Sequence, residues 1–316
     1  MPGVPIDGHV DAAFAGVRDA FVANFSEHDE LGGAVCVVVD GTVVADLWGG
    51  HRDLARSRPW VRDTLVDVFS VGKGLLATAV ARLVGRGALD LDRPLASWWP
   101  AFGAHGKREV TLRQVLAHTA GLPAVRATLP ADAMLRPWAM RAALADEVPW
   151  WPPGSAHGYH VNTFGFLVGA AIEQATGTTV GTHLRDELCG PLGIDVHVGL
   201  GAADLGRVAE FRWPLEPPTA PPAGLSAAEL MRHRAYFNPP GLSGAGVVNT
   251  EAWRRAEHPS TNAHATARGV ARLYDLLVHA GRLDGVQVVD PDALAAATTE
   301  ASAGHDLVLD RPSRFG

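Results

Sequence analysis

Apolar side chains recur as Val10, Phe14, Val17, Phe21 and Phe25 between residues 9 and 29. Spacing of three to four positions puts them on one face, and predicts an amphipathic helix over 9–29. The pattern then changes. Gly32–Val39 is a short run rich in valine, Asp40-Gly41 follows, and Thr42–Trp48 is a second β-rich run. Asp-Gly supplies the two backbone angles that a tight hairpin turn needs, so the two runs are expected to pair antiparallel. The chain therefore opens helix–strand–strand.

A helical period returns within Asp63–Leu89. Leu75, Leu76, Ala79, Val80 and Leu83 form its stripe, and Gly85 and Gly87 mark its end. Phe164–Ala175 and Ala265–Ala280 predict later helices. Pro-rich loops interrupt at Pro149–Gly154, Pro214–Pro222 and Asn238–Gly241. Helical text continues on both sides of Pro214–Pro222, which makes it a surface loop and not a domain linker. Two lobes follow: an α/β lobe from residues 1–66 and 262–316, and a mostly helical lobe, 67–261, inserted between them.

Composition narrows the function classes. The chain has 316 residues, 47% hydrophobic and 19% charged, enough for a large core and unlike a disordered chain. Its net charge is −7, and no Lys/Arg run provides the basic stripe of a nucleic-acid binder. No stretch approaches the roughly 18 apolar residues of a membrane span. The N-terminus lacks the basic and apolar regions of a secretory signal, so a cytoplasmic location is expected. Cys36 and Cys189 are the only cysteines. They make neither a disulfide framework nor a metal cluster, and no metal or cofactor is expected. Oligomeric state is not encoded in any of these features.

Candidate chemistry centres on Phe69-Ser70-Val71-Gly72-Lys73. A serine and a lysine three positions apart on a helix share one face. A serine hydroxyl becomes a good nucleophile only when a base takes its proton. A desolvated lysine can be that base, because burial favours the neutral amine. The N-terminal end of the helix dipole also favours the developing anion.

Further segments follow in order: Val110–Pro123, containing His118-Thr119-Ala120-Gly121, then Pro153-Gly154-Ser155, Tyr159-His160, Pro259-Ser260 and Thr266–Tyr274. Together with Ser70–Lys73, they resemble the serine β-lactamase/penicillin-binding-protein superfamily, and within it the family VIII carboxylesterases. The resemblance runs from about Gly32 to Phe315. It implies an α/β, β-lactamase/transpeptidase-like fold, in which an antiparallel sheet is flanked by helices and carries an inserted helical lobe. It implies hydrolysis of a small-molecule ester through an acyl-enzyme on Ser70, with Lys73 and Tyr159 handling protons. His160, Trp150 and Trp151 are the candidate substrate contacts.

Two departures bear on specificity. The family's second motif places an asparagine two positions after the tyrosine; here that position is Val161, with Asn162 adjacent. This favours esters over β-lactams. Gly72 stands where the family usually has a hydroxyl residue, and little consequence is expected of it. No Lys-Thr-Gly or His-x-Gly motif follows residue 280. The C-terminal strands that would carry a third motif and a second oxyanion donor are therefore expected to be missing, leaving an impaired catalyst with an unpaired edge on Gly32–Val39 or Thr42–Trp48. A β-lactamase or D-alanyl-peptide hydrolase, and a non-catalytic binding scaffold, are the competing readings.

The remaining candidates have bland expectations. Gly241–Gly246 lacks the second glycine of a nucleophile elbow and reads as a flexible loop. His157 and His160 have no metal-ligand spacing. His118 is expected in a capped turn, and Trp98-Trp99 in packing.

Overall fold

The structure, a computed structural model, describes residues 4–213 and 221–316. The expected Pro214–Pro222 loop falls mostly outside these residues.

The chain begins with strand β1 (Ile6–Val10), a short 3-10 turn and helix α1 (Ala15–Glu27). The expected helix over 9–29 is thus shortened by a strand that sequence analysis did not foresee. Gly8 breaks the strand's apolar pattern. It has φ +111° and lies so close to the neighbouring backbone that a Cβ would meet the Asp46 carbonyl oxygen at 2.0 Å. Strands β2 (Gly32–Val39) and β3 (Thr42–Gly50) form the expected antiparallel hairpin, with Val39 opposite Thr42. Asp40 and Gly41 both have positive φ, +49° and +75°, as a two-residue turn of this hand requires. The sheet order is β1-β3-β2. Among the described residues β2 pairs only with β3.

Strand β4 (Val66–Asp67) leads through a 3-10 turn, Phe69–Val71, into helix α2 (Gly72–Gly85). Helix α3 (Leu112–Leu116) starts at a capping box in which Thr111 and Gln114 satisfy each other's backbone N–H. Helices α4 (Pro137–Asp146), α5 (Thr163–Thr176) and α6 (Val180–His183) follow. Every residue of α5 from Thr163 to Ile172 is buried, so it is the central helix of this region. Next come β5 (Val196–Val198), α7 (Ala202–Leu205), α8 (Ala227–Phe237) and α9 (Glu251–Arg255).

Strand β6 (Ala263–Ala265) pairs with both β4 and β5. It hands the chain to α10 (Ala267–Val278), which packs on β2. The short hairpin β7 (Arg282–Leu283) and β8 (Val286–Gln287) precedes α11 (Pro291–Thr298). A last hairpin joins β9 (Ser302–Asp306) to β10 (Arg311–Phe315). The largest buried apolar cluster draws on α2, α5, α10 and α11, and so on both expected lobes.

Candidate active site

Ser70 lies in the 3-10 turn immediately before α2, half-buried. The backbone entering it is strained. Phe69 has φ +47°, a region that bulky side chains seldom occupy. Asp67 holds that turn: one carboxylate oxygen accepts the Phe69 N–H at 2.8 Å, the other the Trp253 indole N–H at 2.9 Å. Burial pushes the Asp67 carboxyl up to about 7, against both hydrogen bonds. Trp253 is itself fully buried, and the Phe69 ring packs edge-on to Phe211 at 5.2 Å. The serine is therefore presented by a stiff, deliberately bent segment.

One turn on, Lys73 points back at it. Its Nζ is 3.1 Å from Ser70 Oγ and donates to the carbonyl oxygens of Val161, at 2.6 Å, and Ser260, at 3.1 Å. Lys73 is 8% exposed, and no acidic side chain among the described residues forms an ion pair with it. Burial alone pulls its ammonium down to about 7. A neutral amine is thus populated near neutral pH, as a general base requires.

Tyr159 meets the same pair from another segment. Lys73 Nζ lies 4.7 Å from the centre of the Tyr159 ring. Burial raises the phenol's pKa, while the nearby Ser70 hydroxyl pulls it down. Ser70 and Lys73, expected together from helical spacing, and Tyr159, expected from motif order, are brought to one place.

The expected substrate contacts are placed differently. His160 is fully buried. Its Nδ1 engages the Gly158 carbonyl at 2.7 Å and its Nε2 accepts the Leu122 N–H at 3.0 Å. No ring nitrogen is left for a ligand, so substrate contact is corrected to a hydrogen-bonded strut, and burial drops its pKa to about 4. Trp151 is buried in a cluster with Val161, Met231 and Val308, behind the Tyr159 segment. Trp150 donates to the Ala124 carbonyl at 2.9 Å and carries the Arg126 guanidinium over its ring at 3.7 Å. Trp98 and Trp99 stack on each other in a groove whose lining includes none of Ser70, Lys73 and Tyr159.

Asn162 is fully buried and committed: its amide donates to the Ala235 carbonyl and to Ser243 Oγ, and its oxygen accepts from Thr261 Oγ1 at 2.6 Å. Ser243 thereby ties down Gly241–Gly246, which also receives His258 Nε2 at the Leu242 carbonyl. The expected flexible loop is an anchored one. His118 sits in the expected turn with φ +59°; its Nδ1 accepts the His160 N–H at 3.1 Å, and burial pushes its pKa well below the usual imidazole value. Among the described residues no cluster of His, Cys, Asp and Glu could hold a metal ion. No described helix is long and apolar enough to cross a membrane.

Gly72 is more constrained than the sequence suggests. A Cβ there would meet the Ala263 Cβ at 2.8 Å and the Pro259 carbonyl oxygen at 3.0 Å. The helix start is pressed against the segment that supplies the Ser260 carbonyl to Lys73. Ser260 was named in sequence only as part of a motif segment, without a role; Asp67, Asp306 and Tyr236, which packs into the same cluster as Tyr159, were not singled out. Their only signal was the polar character of short segments that turn out to be buried.

The chain is similar to known proteins over most of its length. The chain matches the Beta-lactamase family over residues 17–316. It is 37% identical over 306 residues to the esterase/beta-lactamase LipL of Mycobacterium tuberculosis, covering 94% of this chain and 70% of that protein. Among solved structures it is similar to a penicillin-binding protein homologue from Caulobacter crescentus, with TM-score 0.88, 39% identity, and 99% and 82% of the two chains covered. It is equally similar in fold to a family VIII carboxylesterase, with TM-score 0.88, 33% identity and the same coverage. The helices and antiparallel sheets described above are those of the β-lactamase/transpeptidase-like fold, and the chain belongs to the beta-lactamase family of serine hydrolases.

Proposed function

We propose that the chain is a carboxylesterase that hydrolyses short-chain esters through an acyl-enzyme on Ser70. The observation that carries this reading is the approach of a desolvated Lys73 amine to Ser70 Oγ at 3.1 Å. Neutral Lys73 takes the hydroxyl proton as Ser70 attacks the ester carbonyl. Tyr159 passes a proton to the departing alkoxide. Water then attacks the acyl-enzyme with the same groups acting in reverse. The Ser70 backbone N–H is one donor to the oxyanion.

The esterase named among the relatives supports the ester class, and so does Asn162. An amide committed to Ala235, Ser243 and Thr261 is not free to hold the acyl side chain of a β-lactam. β-Lactam hydrolysis is the second reading, because the same relative's name includes it. The test compares p-nitrophenyl butyrate with nitrocefin, alongside labelling of Ser70 by a fluorophosphonate probe. Butyrate hydrolysis with slow nitrocefin turnover supports the proposal. Preference for nitrocefin reverses it, and a wild-type chain that neither labels nor hydrolyses is a binding scaffold. Ser70→Ala abolishes acylation, Lys73→Ala nearly does, and Tyr159→Phe folds but turns over poorly.

A further inference from the structure

The β9–β10 hairpin meets the Tyr159 segment through one carboxylate. Asp306 is fully buried. Its two oxygens accept the Tyr159 backbone N–H at 3.0 and 3.1 Å. They also accept the N–H groups of Val308 and Leu309, both at 2.8 Å, and the Ser313 hydroxyl at 3.0 Å. Ser313 in turn meets His157 Nε2 at 3.0 Å, and the Leu307 N–H donates to the His157 carbonyl. From the end of the same hairpin, the Phe315 ring lies parallel to the Tyr159 ring, 6.0 Å between centres and 4° between planes.

A buried carboxylate is costly to desolvate, and a hairpin can be closed without one. What an ionised carboxylate offers is acceptors on both oxygens, enough to bind the turn of its own hairpin and the backbone of a distant segment at once. The distant residue it holds is Tyr159. We infer that Asp306 is a positioning residue of the reaction: it fixes the backbone from which the Tyr159 phenol reaches the Ser70–Lys73 pair, while Phe315 fixes the plane of the ring. This rests on the role proposed for Tyr159. An error of about 1 Å in a proton-transferring group can cost on the order of a hundredfold in rate. Asparagine in place of Asp306 can keep one oxygen toward the N–H groups of Tyr159, Val308 and Leu309. It turns an N–H₂ group toward Ser313 and the second branch of the Tyr159 N–H, which weakens the acceptor that holds the segment.

The test is a double-mutant cycle in the full chain, with butyrate-ester hydrolysis as readout. Asp306→Asn is expected to lower kcat about 10–100-fold with KM nearly unchanged. In the Tyr159→Phe background the same substitution should add less than about twofold, because the group it positions is gone. An equal loss in both backgrounds would show that Asp306 supports the fold in general; the inference falls while Tyr159 keeps its role. Wild-type turnover by Tyr159→Phe removes that role, and the inference with it. If Asp306→Asn does not fold, Ser313→Ala removes one donor to the carboxylate more gently. It should lower kcat about 3–10-fold, again only when Tyr159 is present. No loss, or a loss independent of Tyr159, overturns the inference.

Discussion

Lys73 donates to the Val161 carbonyl at 2.6 Å, a closer approach than the 3.1 Å it makes to Ser70. Carbonyl dipoles orient the ammonium without the compensation that a carboxylate would give, so burial governs its proton affinity. The pKa near 7 places a kinetic limb there. The rate of Ser70 acylation by a fluorophosphonate should rise with pH up to about 7 and level off above it, as the neutral amine becomes populated. A rate flat from pH 5 to 9 would remove Lys73 as the base.

The same shift has a stability consequence. A lysine whose folded pKa is depressed from 10.5 to about 7 binds its proton more weakly folded than unfolded. The penalty is absent above about 10.5, grows as pH falls toward 7, and is constant below. Lys73→Met should therefore raise stability at pH 7 by about 1–3 kcal/mol, the gain being reduced by the carbonyls of Val161 and Ser260 that lose a donor. Chemical denaturation at pH 7 and pH 10 measures it: the advantage of the variant should shrink at the higher pH.

Asp67 carries the opposite sign of charge and also a shift that burial drives. Its folded pKa, about 7, stands above the ordinary 3.8, so its penalty is absent at low pH and grows as pH rises from about 4 to 7. Asp67→Asn loses one acceptor for the N–H groups of Phe69 and Trp253 but keeps no ionisable group. The variant should be least competitive with wild type near pH 4 and should recover on the order of a few kcal/mol relative to it by pH 7. Melting temperatures of both proteins across that range decide the point.

Gly72→Ser, which introduces a hydroxyl side chain at the start of the helix, should destabilise the chain. The added Cβ would stand 2.8 Å from the Ala263 Cβ and 3.0 Å from the Pro259 carbonyl oxygen. Overpacking of this kind costs about 1–3 kcal/mol, and the shift it forces would move the Ser260 carbonyl away from Lys73. A melting temperature equal to wild type, with equal acylation, would mean that the 259–263 segment yields freely.

The hairpin at Asp40-Gly41, the stripe of α2 and the pairing of Ser70 with Lys73 were legible because each is written within a few consecutive residues. Tyr159 was legible only through the order of motifs. β1 was not, since Gly8 interrupts its pattern for the sake of close approach to Asp46. The tightness at Gly72 depends on Ala263, and the orientation of Lys73 on the Ser260 carbonyl, partners that no local window contains. His160 looked available because it adjoins Tyr159 in sequence, yet its ring turns inward to Gly158 and Leu122.

The carboxylate bridge between the last hairpin and the Tyr159 segment has a consequence for folding. Lys73 and Ser70 are separated by 3 positions, but Lys73 reaches Ser260 across 187 and Tyr159 reaches Asp306 across 147. One turn of helix can set the first pair in well under a microsecond, whereas the others wait for closure of very long loops. Lys73 is oriented toward Ser70 only once the segment carrying Ser260 has docked, so labelling of a refolding chain by a fluorophosphonate should lag behind the formation of the helix that carries Lys73.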